Sequence, residues 1–376
     1  MIIVGGTPIS TSSQGRERLL VSLLEHPLLV SASDSFKALP QKRISLSDKW
    51  GSNGSTQFKY VYVFQREYAI VDPTRVKMVG TDEATTCVGL VIRNPVTGMT
   101  SVAHMDSPAV VDRGISQMLS FVIDSNTPTE LDVHLIGGYQ DVTLKWNNGK
   151  NDAENYSRSP GYSFPLCSKI LEALQCSEEK FHVQTLCILE HNTIRDSVGT
   201  PYPVVTGFLV DTCTGSILPA TFDRTSRGPD EIVRRVRVSV SSEDPSWKGK
   251  LLDAYDTCND RFQIAACSWS PRWKSIAISL QQLSDLEILL NCSTSPLTEG
   301  PDFVDNERRL TTHGSKKLIT NQVIMFLTSS ASASLAKLFP VRVCNYLIRH
   351  PNWEETFPRR EPRIFEWTAG GRWVRS

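Results

Sequence analysis

The sequence predicts an α+β fold, a largely antiparallel or mixed β core flanked by helices. Three observations lead there. From residue 59 short runs rich in Val, Ile and Tyr follow one another between turn residues, and helical periodicity separates some of the later runs. There is also no regular βαβ repeat and no GxGxxG or GxxxxGK[ST] loop, which argues against a doubly wound parallel sheet.

In chain order, residues 1–58 are expected to form a helical and looped segment packing on the core. Residues 59–305 are expected to form the α+β core, and 306–376 a helix and hairpin extension. The core opens with KYVYVF (59–64), EYAIVD (67–72), RVKMVG (75–80), CVGLVIR (87–93) and MTSVAH (99–104), which read as an antiparallel meander. LDVHLIGG (131–138), HVQTLCILE (182–190), VVTGFLVDT (204–212) and VRRVRVSVS (233–241) read as later strands. SKILEALQC (168–176), LQQLSDLEILLN (280–291) and NQVIMFLTSSASASLAKLF (321–339) carry apolar residues at helical spacing. Two polar stretches rich in turn formers, 145–161 and 241–250, read as loops. The end, RIFEWTAGGRWVRS (363–376), reads as a hairpin turning at Gly370 and Gly371, with Trp367 and Trp373 packing on the domain.

Composition narrows the function classes. With 40 basic and 40 acidic residues the formal net charge is zero, which gives no support to nucleic-acid or membrane binding driven by bulk electrostatics. The first residues lack the basic and long apolar regions of a secretory signal, and no run approaches about 18 uninterrupted apolar residues. The nine cysteines never form Cys-x-x-Cys, a pattern of reduced thiols rather than a disulfide frame. The tightest Cys/His group, His182, Cys187 and His191, lacks the four closely spaced ligands of structural zinc. A soluble intracellular protein without metal or cofactor is the expectation.

One cysteine stands apart. Cys87 follows the polar loop TDEATT (81–86) and begins the run CVGLVIR, and His104 ends the next expected strand. If Arg93 pairs with Thr100, paired positions sum to 193, so His104 lies opposite Gly89 and Cys87 opposite Asp106. The side chains of Cys87, His104 and Asp106 then share one face, with Cys87 and His104 diagonal neighbours about 7 to 8 Å apart at the backbone. Gly89 leaves room for the imidazole. A neighbouring imidazolium would stabilise the thiolate and later deliver a proton to a leaving amine. A shift of one residue would put the two groups on opposite faces.

The segments GTDEATTCVGLVIR, AHMD, VHLIGGYQD (133–141) and STSPLTEGPDFV (293–304) resemble the protein N-terminal asparagine amidohydrolase family. YVYVFQREYAIV (60–71), VQTLCILE (183–190), TFDRTSRGPDE (221–231) and CSWSP (267–271) extend the likeness, which covers roughly residues 60–304. The family's nucleophile is the cysteine of its (D/E)ATTC motif, which falls on Cys87. A remoter likeness in spacing, to the chemotaxis receptor glutamine deamidase and to deamidating toxins, aligns a threonine with Thr81 and a histidine with His104. It implies a core of α-β-β-α-like layering.

The resemblance implies conversion of a protein's N-terminal Asn to Asp with release of ammonia, feeding arginylation and N-degron turnover in the cytoplasm, with the nucleus a second site. The implied partners are proteins or peptides with a free N-terminal Asn. Cys87 would attack the carboxamide, His104 would move protons, Thr81 would orient the imidazole, and Thr86 would help at the oxyanion. A reader of the free α-ammonium is also needed, and Asp106, Asp82, Glu83 and Glu190 are the candidate carboxylates. Two other classes stay open: a non-catalytic module that binds chain termini, and a cysteine amidohydrolase acting on glutamine or a small amide.

Overall fold

The computed structural model describes residues 1–9, 16–45, 58–124, 129–146, 156–241, 243–282 and 341–376. Its strands are, in order, β1 Ile2–Val4, β2 Thr7–Pro8, β3 Lys42–Ile44, β4 Tyr60–Tyr62, β5 Glu67–Val71, β6 Met78–Thr81, β7 Val88–Arg93 and β8 Thr100–Met105. There follow β9 Leu131–Tyr139, β10 Val142–Trp146, β11 Tyr156–Pro160, β12 Phe181–Leu189, β13 Thr193–Arg195 and β14 Pro201–Pro203. The series ends with β15 Phe208–Asp211, β16 Ile217–Phe222, β17 Leu252–Asp256, β18 Arg261–Ile264, β19 Arg363–Trp367 and β20 Trp373–Arg375. The described α-helices are α1 Arg16–Leu24, α2 Pro27–Ala38, α3 Val111–Leu119, α4 Ser163–Cys176, α5 Glu231–Ser241, α6 Pro271–Gln281, α7 Val341–Arg349 and α8 Trp353–Thr356.

The chain divides into two compact units. The first comprises Met1–Pro229, Trp247–Ala265 and Arg363–Ser376, and the second Asp230–Ser246 and Ala266–Pro362. The first unit holds an eleven-stranded mixed sheet in the order β2-β1-β12-β9-β7-β8-β5-β17-β18-β19-β20 and a five-stranded sheet in the order β3-β16-β15-β6-β4. The α+β class predicted from sequence stands.

Strand periodicity builds the layers. On β7, Val88, Leu90 and Ile92 point to one side and join Ala103 and Met105 of β8 in a core completed by residues of α1, α3 and α4. The residues between them point the other way, onto the five-stranded sheet. Gly89 marks the closest approach: a Cβ there would lie 2.3 Å from a ring carbon of Phe208 on β15 and 3.3 Å from Thr81 Cγ2 on β6. A helix layer, the large sheet and the small sheet are thus stacked in that order. The small sheet has a further apolar cluster of its own, with Tyr62, Phe64, Leu209 and Phe222 at its centre.

The antiparallel meander expected over 59–104 divides between the sheets: β4 and β6 pair in parallel in the small one, and β5, β8 and β7 pair antiparallel in the large one. Two further departures are local. The run VRRVRVSVS is the helix α5, not a strand. Its valines alternate toward the end, but Val233, Val236 and Val240 also fall at helical spacing and are all buried together with Arg234 and Arg237. Short β-branched runs fit either period, and packing decides. The stretch 145–161, read as a loop, contains the end of β10 and the whole of β11, which pair as a hairpin. Beyond residue 282, the helices expected at 280–291 and 321–339 lie outside the described residues. At the other end, β19 and β20 pair with Trp367 opposite Trp373, their rings edge to face at 5.2 Å, so the C-terminal hairpin forms the rim of the large sheet.

Because Phe208 fills the space above Gly89, Gly89→Ala is expected to lower unfolding stability by about 1–3 kcal/mol through overpacking. Chemical denaturation checks this, and an unchanged midpoint would show that the two sheets are not closely stacked there.

Candidate active site

The central hairpin adopts the register derived above: Arg93 pairs with Thr100 and Gly89 with His104, and the ladder ends at Val88 opposite Met105. Cys87 and Asp106 are the first residues beyond it. Alternation places His104 on the Gly89 face, toward the small sheet, and there it meets Thr81 at the end of β6. The six residues after Thr81 therefore cross from the small sheet to the large one, with Cys87 at the far end.

His104 is only 2% exposed. Its Nδ1 lies 2.8 Å from Thr81 Oγ1, whereas its Nε2 is buried without a hydrogen-bond partner among the described residues. When Nδ1–H donates to Thr81, Nε2 presents a lone pair and is a base. Burial pushes the imidazole down to about 4, against the smaller opposing pull of Asp106, Asp82 and Glu67.

Cys87 is half-buried as a residue. Desolvation pushes its thiol up to about 12 and Asp106 adds to that, while a hydrogen bond with the Thr86 side chain and the charge of Arg66 oppose it. Burial thus favours the neutral form of both the thiol and the imidazole. The thiolate and imidazolium expected from sequence are disfavoured because burial penalises both charges. Around the thiol, Tyr139 N–H donates to Thr85 C=O at 3.1 Å and Ser163 Oγ to Thr86 C=O at 3.4 Å. Gly137, with φ of 109°, comes so close that a Cβ would lie 2.7 Å from the Cys87 carbonyl oxygen. Neither Thr86 N–H nor Cys87 N–H makes a backbone hydrogen bond among the described residues.

The four carboxylates separate. Asp106 is held by Arg66, with Nε 3.2 and 3.1 Å from its two oxygens and Nη2 at 3.0 Å, and by Gln65 Nε2 at 3.1 Å. Asp82 is buried and accepts from Tyr62 Oη, Phe222 N–H and Arg227 Nη2 at 2.7, 2.7 and 2.9 Å. Glu83 pairs with the same Arg227. Glu190 is exposed at the end of β12, directly after Leu189, whose φ is 48°. Thr81, His104 and Asp106 are therefore drawn together at the end of the central hairpin where Cys87 lies, Asp82 and Glu83 are bound to an arginine, and Glu190 follows β12, which β9 separates from the hairpin.

Sequence reasoning passed over Arg66, Glu67 and Arg227. Glu67 is fully buried one step beyond the Tyr68–Ala103 pair, opposite His104, and its Oε2 accepts Phe64 N–H at 3.0 Å. A charge in phase with the apolar Ala69 and Val71 was its signal in the sequence. Arg227 sat in TFDRTSRGPDE without a role. The group His182, Cys187 and His191 has other uses: the His191 ring nitrogens lie 2.9 and 2.8 Å from the Leu186 and Leu24 carbonyl oxygens. Among the described residues no helix is long and apolar enough to cross a membrane.

Comparison with known proteins gives the following. The model of a family described as protein N-terminal asparagine amidohydrolase matches residues 51–330. The chain is 52% identical over 382 residues to the protein N-terminal asparagine amidohydrolase of Arabidopsis thaliana, with 99% of each chain covered. It is 33% identical to the Sus scrofa protein of that name and 32% to the Homo sapiens one, each over 253 residues, 66% of this chain and 72% of the relative.

A folded His104 near 4 against an unfolded value of 6.5 means that the unfolded chain binds a proton the folded one refuses, so stability falls as pH drops through this window. Between pH 7 and 4.5 this group is expected to remove about 2 kcal/mol. Denaturation of the native protein and of His104→Asn at the two pH values checks it; equal losses would place the acid sensitivity elsewhere, His134 being shifted the same way.

Proposed function

We propose that Cys87 is the nucleophile of an amide hydrolysis whose substrate the family sets, for this chain belongs to the protein N-terminal asparagine amidohydrolase family. The reaction is hydrolysis of the side-chain amide of an N-terminal Asn to give N-terminal Asp and ammonia. The observation that supports the assignment of residues is His104: one nitrogen is fixed by Thr81, the other is buried and free, and the ring stands on the Gly89 face at the Cys87 end of the ladder.

The neutral resting pair makes the first step a coupled one. As Cys87 Sγ attacks the carboxamide carbon, its proton passes to His104 Nε2, and the carbonyl oxygen becomes an oxyanion received by the N–H groups of Thr86 and Cys87. The imidazolium is then stabilised by Asp106, Asp82 and Glu67, the three charges that already favour it. It protonates the departing nitrogen, ammonia leaves, and a thioester remains. His104 then takes a proton from water, hydroxide adds to the thioester, and collapse releases Asp and restores the thiol. Thr81 keeps the ring in one orientation through both proton transfers, as the third member does in nucleophile–base–orienter sites.

Asp106 is assigned to the substrate's α-ammonium. In Asn that nitrogen and the carboxamide carbon are only three bonds apart, so the reader must lie beside the thiol. Asp106 acts electrostatically on both Cys87 and His104. The Arg66 fork fixes the carboxylate, which retains lone pairs for a further donor. Selection of Asn over Gln rests on distance: an added methylene changes binding by about 1–3 kcal/mol, and displacement of the amide carbon from the sulfur adds to that. The same family premise supports a role in the cytoplasm, where the new terminal Asp would enter N-degron turnover.

A panel of peptides beginning Asn, Gln and acetyl-Asn, read by mass spectrometry and ammonia release, tests this. Only the free Asn peptide should be converted, and Cys87→Ala should abolish release while peptide binding persists; equal conversion of all three would exclude terminal recognition, and unchanged release by Cys87→Ala would exclude the nucleophile. Asp106→Asn should raise KM for the Asn peptide by about thirtyfold or more, the size of a lost buried charge contact. An unchanged KM would assign the ammonium elsewhere, with Glu190 the next carboxylate to replace.

A further inference from the structure

The loop between Thr81 and Cys87 carries two acids, Asp82 and Glu83, with hydrogen bonds directed to Tyr62, Phe222 and Arg227. Both are engaged by one arginine. Arg227, 2% exposed, ends the short turn Arg224–Arg227, whose start is capped by Asp223 accepting Ser226 N–H. Its Nη2 donates to Asp82 Oδ2 at 2.9 Å and its Nη1 to Glu83 Oε1. The guanidinium also lies over the Tyr62 ring, 5.9 Å from its centroid, and the Tyr62 hydroxyl donates to the other Asp82 oxygen at 2.7 Å. One planar fork therefore spans two consecutive carboxylates, the second on a residue whose φ is 63°.

The rest of the loop is fixed from the same side. Ala84 N–H donates to Thr206 C=O at 2.8 Å, and a Cβ on Gly207 would come within 2.5 Å of the Asp82 Cβ. A buried charge network of this kind is weak evidence for stability, since desolvation consumes much of the attraction. What a rigid fork does supply is direction. The two ends of this loop are the two groups whose separation the reaction depends on: Thr81, which orients His104, and Cys87.

We propose that Arg227 is a positioning residue for the reaction, acting through Asp82 and Glu83 to hold the loop so that Cys87 meets the imidazole and the substrate carboxamide. This rests on Cys87 being the nucleophile. It also assigns both acids of the loop to geometry rather than to reading the substrate's ammonium.

The test uses the full chain and the Asn peptide. Arg227→Ala should lower kcat by about 100-fold, the cost of a misplacement near 1 Å, with KM little changed. Guanidinium at sub-denaturing concentration should restore part of that kcat. Glu83→Gln, which leaves the Asp82 arm in place, should lower kcat less, keep KM, and still reject the acetyl-Asn peptide. A risen KM with acceptance of acetyl-Asn would overturn the proposal by making Glu83 a reader, and unchanged kcat in both variants would overturn it outright. Should Arg227→Ala not fold, Glu83→Gln decides by the same readouts. Ammonia release by Cys87→Ala separates failure of the nucleophile assignment from failure of this one.

Discussion

A single hydrogen bond, between His104 Nδ1 and Thr81 Oγ1, joins the two sheets at the proposed active site. It can form only if the sheets stack closely, and close stacking requires that β7 carry no side chain at position 89, where Phe208 and the Thr81 methyl already fill the space. The glycine beside the histidine is therefore less a gap for the imidazole than the condition for bringing a second sheet onto the hairpin. From that contact the rest follows: the ring is oriented, its other nitrogen is buried without a partner among the described residues, and the loop from Thr81 must cross the interface to reach Cys87.

Burial sets the electrostatics as well. In water a thiol and an imidazole near each other can exchange a proton at modest cost, whereas here both are held neutral by desolvation. In the proposed mechanism charge is created only as the substrate is attacked, and Asp106, Asp82 and Glu67 favour the imidazolium while Asp106 disfavours the thiolate. Arginines offset their own cost of burial: Arg66 with Asp106, Arg227 with Asp82 and Glu83. Leaving any of these acids unpaired would expose a buried charge, which is costlier than the pair is stabilising.

Much of the central architecture was legible in the sequence because β-strands impose a period of two. Once Arg93 was set opposite Thr100, every pairing to Gly89 and His104 was determined, and the observed ladder has that register. The motif around Cys87 carried the family likeness. What escaped were the partners supplied by distant segments. Arg227, more than 130 residues from Asp82, reaches it only because β15 and β16 fold beside β6. The helix α5 was misread because its valines satisfy both a helical and a strand period, and a short run holds too few turns to separate them.

The sequence by itself determined the α+β class, the hairpin with its register from Arg93 to His104, and the family, because these depend on local period and on contiguous motifs. Tertiary structure alone decided which nitrogen of His104 is free, that the resting thiol and imidazole are neutral, and which acids are held by arginines. Those properties depend on burial and on the distance between residues far apart in the chain, and neither is encoded in any one stretch of it.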